Sequence, residues 1–116
     1  MSPVMLKSRE ALPSVPWEGV QRKVLALTDN LMLIEVTLNK DARVPVHKHV
    51  NEQIGYVVKG RIKININGKS YVLRSGDSYC IPSNIAHEVF GLAKSILIDV
   101  FTPPVENFKK EIRKIV

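Results

Sequence analysis

Three histidines are the residues of this 116-residue chain whose types and spacing most directly suggest chemistry. His47 and His49 flank one lysine in the stretch VPVHKHVNEQIGYVVKG, and His87 lies in the later stretch PSNIAHEVF. Successive side chains of a β-strand point to opposite faces, so His47 and His49 point to the same face. Imidazoles on one face, together with an oxygen donor, can form a compact metal site. A hydrogen bond to a nearby carbonyl group would explain any one of these histidines equally well, and the residues alone leave both explanations open.

Short strands are the elements that must position these histidines. From Val20 onward, β-rich segments alternate with turn residues at regular spacing, which is typical of a β-sandwich or barrel. Asn67-Gly68 favours a two-residue hairpin turn. About nine strands are predicted, including segments 24–27, 31–38, 43–49, 53–59, 61–66, 78–81, 85–90 and 94–101.

The end of the chain is predicted to be helical. The tail VENFKKEIRKIV has apolar residues at helical spacing, namely Val105, Phe108, Ile112 and Ile115, with basic residues between them. The prediction is therefore an all-β fold with a short C-terminal helix. It forms a single domain over 1–116, with an N-terminal extension over 1–19, a barrel over 20–104 and the helix over 105–116.

The composition excludes several classes of function. The chain is 45% hydrophobic and 24% charged, which is ordinary for a globular protein. Its net charge of +6 comes mainly from scattered Lys and Arg residues, so we expect no nucleic-acid partner and a modest preference for small anionic ligands. No apolar run is long enough to cross a bilayer, and the first residues contain no apolar segment, so we expect no signal peptide. We expect a cytoplasmic protein without a membrane partner, whose single cysteine, Cys80, is a small buried apolar residue.

The stretch around the first two histidines resembles the first motif of the cupins. That motif is a glycine, five residues, His-x-His, three or four residues, Glu, six residues and Gly. His47, His49 and Gly60 match it, and Gln53 stands at the acidic position. Glu52 fits neither permitted spacing and points to the opposite face of the strand. The resemblance implies a double-stranded β-helix (jelly-roll) barrel.

A second cupin motif covers the third histidine. It is a glycine, five residues, Pro-x-Gly, two residues, His, three residues and Asn, and here Gly76, Pro82 and His87 match it. Asn84 replaces its second glycine, which is tolerable because Asn enters the left-handed backbone region more easily than most residues. Asp41 replaces the opening glycine of the first motif, and Gly91 replaces the final Asn of the second. These three departures from the motifs affect turns and do not remove a metal ligand. The resemblance implies one divalent metal ion (Zn, Ni, Fe, Mn or Cu) bound by His47, His49, Gln53 and His87.

A carboxylate within the last predicted strand is the candidate acid or base. In KSILIDVFTPP, strand alternation places Leu97, Asp99 and Phe101 on one face. A carboxylate in so apolar a strand costs free energy unless it is paired or functional. Hydrogen bonds to turn amides or an Arg are the structural explanation for Asp99, and proton transfer beside the metal is the functional one. Phe101 could equally be a core residue.

The runs PWEGVQRKVLALTDNLMLIEVTL, HxHxxxQ and DVFTPP together resemble the small pectin-degradation cupins that linearise unsaturated uronates (KdgF-like). This resemblance implies that Asp99 and Phe101 act at the substrate. It also implies an arginine where this chain has Val105, and Val cannot clamp a carboxylate as Arg does. Arg22 and Arg43 are the candidates to supply that charge.

These observations predict a metal-dependent enzyme that acts on a small anionic, carbohydrate-derived substrate. The metal would polarise an oxygen while Asp99 moves a proton, and Gln53 would leave the metal its full charge. The alternatives are a non-catalytic metal- or ligand-binding module and an iron-dependent dioxygenase.

We expect a homodimer that pairs through sheet edges and the N-terminal stretch. Trp17 is interpreted as a lid over the barrel wall, and Tyr56 and Tyr79 as packing or subunit contacts.

Overall fold

The computed structural model describes residues 2–113, in which eleven strands form two sheets ahead of one C-terminal helix. The elements are β1 (Val4–Met5), a 3-10 turn (Ser8–Glu10), β2 (Ser14–Trp17), β3 (Val20–Leu27), β4 (Met32–Leu38), β5 (Arg43–His47), β6 (Glu52–Lys59), β7 (Arg61–Ile66), β8 (Lys69–Arg74), β9 (Ser78–Ile81), β10 (His87–Gly91), β11 (Ser95–Thr102) and α1 (Glu106–Arg113). The all-β prediction with a short C-terminal helix is confirmed.

The two sheets are antiparallel and share one core. The larger sheet has the order β1-β3-β4-β11-β6-β9, with β2 also paired to β3, and the smaller has the order β5-β10-β7-β8. Buried residues alternate along β4, β6 and β11, as expected for strands with one face on a core. The core joins side chains of the larger sheet, such as Ile34 and Val57, to Ile62 and Ile64 of the smaller one.

Strands β3 to β11 occupy the region predicted to be β-rich, but β1 and β2 were not predicted. Both pair with the same strand, β3. β1 has only two residues, and β2 contains Pro16, which is compatible with an edge strand but obscures the strand pattern. The N-terminal segment therefore extends the larger sheet.

Turn positions explain why the departures from the cupin motifs are tolerated. Asp41 and Asn84, which stand where those motifs have glycine, adopt φ angles of 69° and 62° in the left-handed region. The predicted hairpin turn is also present, because Asn67 and Gly68 have φ angles of 52° and 80° between β7 and β8.

Two further details differ from the predictions. β5 ends at His47, so His49 lies in the loop through which the chain passes from the smaller to the larger sheet. The prediction that Cys80 is buried is wrong: its neighbours Tyr79 and Ile81 take the inner positions of β9, which leaves Cys80 exposed. Ile115 of the predicted helix lies outside the described residues.

Within residues 2–113, no helix has the length and apolar character needed to span a membrane.

Candidate metal centre

A cavity of about 320 Å³ lies between the two sheets, and all four predicted metal ligands line it. His47, at the end of β5, is directly paired with His87, at the start of β10. His49 follows β5 by two residues, and Gln53 is the second residue of β6 in the facing sheet. The jelly-roll topology thus brings together residues that are up to forty positions apart in the chain.

The three imidazoles form a tight cluster. The ring centroids of His47 and His87 are 4.2 Å apart, those of His49 and His87 are 4.9 Å apart, and those of His47 and His49 are 5.5 Å apart. One ring nitrogen from each histidine lies within 4.8 Å of the other two. This spacing allows a single ion to contact all three rings.

Backbone carbonyl groups orient each ring in the same way. Nδ1 lies 2.8 Å from the Pro45 oxygen in His47, 2.9 Å from the Asn51 oxygen in His49 and 2.8 Å from the Ile85 oxygen in His87. A carbonyl oxygen only accepts, so Nδ1 donates and each neutral ring carries its lone pair on Nε2. This is the arrangement that metal-binding histidines normally show.

Three buried atoms at the cluster have no hydrogen-bond partner, namely Nε2 of His49, Nε2 of His87 and Oε1 of Gln53. Buried polar atoms nearly always have a partner, and three acceptors that converge on one cavity without a protein donor fit a bound cation. Burial also lowers the pKa of His87 to about 4, although its hydrogen bond to Ile85 opposes this shift. The ring is therefore neutral at pH 7. Three imidazoles and an amide oxygen suit a divalent transition metal.

Asp99 lies beside this cluster and is almost fully buried. The hydroxyl of Tyr79 donates to its Oδ1 at 2.5 Å, and the side chain of Gln53 also hydrogen bonds to it. Burial raises the pKa of Asp99 to about 6, against the opposing effect of both hydrogen bonds and of His49. Burial, together with the neighbouring Asp99, also raises the pKa of Tyr79 well above its ordinary value. Asp99 thus connects to the candidate ligand set through Gln53.

A glycine makes the contact between Tyr79 and Asp99 possible. Asp99, Gly55 and Tyr79 lie in one row across β11, β6 and β9, with Gly55 in the middle. A Cβ atom on Gly55 would lie 2.0 Å from Cζ of Tyr79, so only glycine lets the ring pass over β6. The interpretation of Tyr79 as a packing or subunit contact therefore missed its place in the cavity. A glycine at an inner strand position was the available signal.

The opposite end of the cavity lies against α1. Val105 and Phe108 line the cavity there, together with Trp17 and Arg22. The Arg22 guanidinium lies 3.7 Å from the centroid of the Phe108 ring, and its Nη2 donates to Oε1 of Glu111 at 2.5 Å. Arg22 is thus in the cavity wall, but it is already paired.

The other two predicted substrate residues have different positions. Phe101 lies between the two ends of the cavity, with its ring centroid 5.7 Å from that of His49 and 6.0 Å from that of Phe108. Arg43 is not among the cavity-lining residues. It is exposed and donates to Glu88 at 2.9 Å, a contact that lowers the pKa of Glu88. The structure therefore does not bring Arg43 to the site.

Sequence comparison agrees with this arrangement, because the Cupin domain family model matches residues 34–98. The chain belongs to the cupin family. This cupin is 37% identical over 99 residues to the pectin degradation protein KdgF of Dickeya dadantii, which covers 80% of this chain and 90% of the relative. The structure of KdgF from Halomonas sp. is 30% identical, has a TM-score of 0.84, and covers 89% of this chain and 96% of that one.

A transcriptional regulator also matches this cupin over a shorter region. The HTH-type transcriptional regulator PuuR of Escherichia coli is 40% identical over 58 residues, which is 48% of this chain and 31% of the regulator. The matched region is thus about half of this chain and less than a third of the regulator.

Proposed function

We propose that this cupin is a metal-dependent enzyme that acts on a small anionic, carbohydrate-derived substrate by uronate linearisation or isomerisation. The observation that carries the proposal is the buried carboxylate of Asp99, which lies in the same cavity as the histidine cluster and is fixed by Tyr79. The 37% identity to KdgF, a protein named for pectin degradation, supports the choice of substrate class.

The candidate metal ligands are His47, His49, Gln53 and His87. A divalent ion bound there would supply Lewis acidity that polarises a substrate oxygen. Asp99 is the group that takes a proton from the substrate and returns it, because it is the acidic residue among those that line the cavity. Tyr79 restricts Asp99 to one orientation through its hydrogen bond. Phe101 and Phe108 shield the reacting atoms from water with their apolar rings.

Arg22 is the candidate anchor for the substrate carboxylate in the absence of an arginine at Val105. It reaches the cavity wall from β3, whereas Val105 precedes α1. A substrate carboxylate that binds Arg22 must share it with Glu111 or displace that residue. The planar guanidinium can hold a carboxylate through two parallel hydrogen bonds.

The test is to incubate metal-loaded protein with an unsaturated uronate monosaccharide and follow the ring form by proton NMR. The wild type should consume the ring form. The Asp99→Asn variant should keep its metal and its fold but lose about 10²- to 10⁴-fold in turnover, the usual contribution of a positioned acid or base. A fully active Asp99→Asn variant would disprove the role of Asp99. No turnover by the metal-loaded wild type would disprove the proposed enzymatic activity.

A ligand-binding module without turnover is the second candidate. The match to the regulator PuuR favours it, and so does the Arg22–Glu111 pair, which already engages the guanidinium that would anchor a substrate carboxylate. Calorimetry with the same uronate separates the two candidates. Saturable binding of a uronate that NMR shows to be unchanged would support the binding module.

A further inference from the structure

An open depression of about 470 Å³ lies beside the smaller sheet, apart from the histidine cavity. It is lined by Gly60, Arg61, Arg74, Ser75 and Ala93, none of which lines the cavity between the sheets. Arg61 begins β7 and Arg74 ends β8, and the two residues are paired directly across these strands. Side chains paired in this way share one face of the sheet, with Cβ atoms about 4.5–5.5 Å apart. Two guanidinium groups therefore stand side by side at the depression.

The pairing of these two arginines is unfavourable by itself. Like charges directly opposite each other in an antiparallel pair destabilise the sheet. Within residues 2–113, neither guanidinium group makes a hydrogen bond or an ion pair, and neither lies over an aromatic ring. The described part of the chain thus brings two positive charges together and supplies a counter-charge to neither.

Other cations on the same face of the smaller sheet have partners. Arg43 and Lys63 are both paired with Phe90 of β10, so the three side chains share this face. The Arg43 guanidinium lies 5.6 Å from the centroid of the Phe90 ring and donates to Glu88 at 2.9 Å. Nζ of Lys63 lies 5.7 Å from the same centroid. The sheet therefore engages these two cations and leaves the pair at the depression free to bind a ligand.

The backbone at both arginines is held by specific hydrogen bonds. The Arg61 N–H donates to Oγ of Ser95 at 3.0 Å, and the Arg61 carbonyl oxygen accepts from the Leu92 N–H at 3.0 Å. The Arg74 N–H donates to Oδ2 of Asp77 at 2.8 Å, which closes the turn after β8. Asp77 is the acidic residue closest to Arg74 in the chain, and it contacts the backbone there. A ligand would thus meet two side chains on an ordered backbone, which reduces the entropy lost on binding.

A phosphate group matches this arrangement in charge and in hydrogen-bonding geometry. A phosphomonoester carries close to two negative charges at pH 7, and the two guanidinium groups carry two positive charges. Each planar guanidinium can donate two parallel hydrogen bonds to phosphate oxygens, whereas a single carboxylate would neutralise only one of the two groups. Lys59 and Lys94 adjoin lining residues in the chain and add to the positive potential.

We propose that this depression is a second ligand site of the cupin, which binds the phosphate group of a small phosphorylated molecule. Arg61 and Arg74 hold the phosphate oxygens, and the Ser75 hydroxyl donates to a third position. The volume of the depression lies within the range usual for small-molecule sites, about 300–1,000 Å³, so it can also hold the organic part of the ligand. The proposal is independent of the proposed enzymatic activity, because the two sites share no residue.

NMR titration of ¹⁵N-labelled protein with inorganic phosphate and with glycerol 3-phosphate tests the proposal. Both compounds should shift the amide signals of the lining residues saturably, and glycerol 3-phosphate should bind more tightly because its organic part also contacts the depression. Arg61→Gln and Arg74→Gln should each raise the dissociation constant at least about tenfold, since each removes hydrogen bonds between charged groups.

Lys69→Gln is the matched control for the loss of one positive charge. Lys69 lies on β8 like Arg74, but five residues away, so its side chain starts from the opposite face about 16 Å along the strand. In about 0.1 M salt, charges more than about 10 Å apart are largely screened, and the dissociation constant should therefore stay within about twofold of the wild-type value.

The same titrations define the results that would overturn the proposal. Equal weakening by Lys69→Gln and by the arginine variants would mean that the net charge of the chain attracts phosphate without a defined site. Absence of saturable shifts at the lining residues, or shifts confined to the histidine cavity, would rule out a site at the depression. Acetate that binds as tightly as inorganic phosphate would contradict the match to a dianion. Equal affinity for the two phosphate compounds would overturn the role of the organic part and assign the site to free phosphate.

Discussion

At the histidine end of the cavity, backbone carbonyls hold Nδ1 of each ring, while Nε2 of His49 and His87 and Oε1 of Gln53 have no partner. At the helix end, the polar group is already satisfied, because Arg22 stacks on Phe108 and donates to Glu111. Both ends are oriented, but the histidine end has buried acceptor atoms without partners, whereas the polar group at the helix end is already paired.

This difference separates two kinds of preorganisation. Lone pairs left free inside a protein are costly unless something binds them, so the histidine end is built for an added ion. The Arg22–Glu111 pair stabilises the wall without any added group, and it becomes a binding site only if a ligand competes with Glu111. Metal affinity should therefore depend on the first end, and substrate selectivity on the second.

Removal of one imidazole should have the largest effect. We expect His49→Ala to reduce bound metal from about one equivalent to near zero, because it removes one of four donors and leaves an open coordination position. Elemental mass spectrometry of untagged protein measures this directly. Lys48→Ala is the control, since this neighbour is exposed. Full metal content in His49→Ala would mean that the cluster is not the metal site.

Gly55→Ala should have the next largest effect, on stability. Its new Cβ would meet the Tyr79 ring, which must move away from Asp99. Overpacking of this kind typically costs about 1–3 kcal/mol of the free energy of unfolding. Denaturant titration measures the loss. In a Tyr79→Ser background the ring is absent, so the same substitution should cost little. Equal losses in both backgrounds would show that the ring is not what requires glycine.

The sequence predicted the fold well because two of its signals are local. Strand alternation on β6 and β11 assigned the inner faces correctly, including Gln53 and Asp99. Motif spacing placed Asp41 and Asn84 at turns, and both adopt the left-handed conformation. Such features depend on a few neighbouring residues, so they can be predicted from a single sequence.

Contacts between distant elements could not be predicted in the same way. Tyr79 reaches Asp99 only because β9 and β11 lie on either side of β6, and the sequence pattern does not give strand order. Arg22 and Glu111 are 89 positions apart and meet only when α1 packs on β3. Arg43 likewise lies outside the cavity lining, at an exposed position where it donates to Glu88 of the neighbouring strand β10.

Glu111→Gln should have the smallest effect, and it tests the role of Arg22 at the helix end of the cavity. The substitution keeps the shape of the side chain but removes the charge that competes for Arg22. If Arg22 anchors the substrate carboxylate, KM for the uronate should fall about three- to tenfold while kcat stays unchanged, since the change acts on binding alone. Glu106→Gln is the matched control on the same helix, where Glu106 accepts from Lys109 at an exposed position and should leave KM unaltered. An increase in KM for Glu111→Gln would mean that the ion pair shapes the wall for a neutral group, and the carboxylate would then have to bind elsewhere in the cavity.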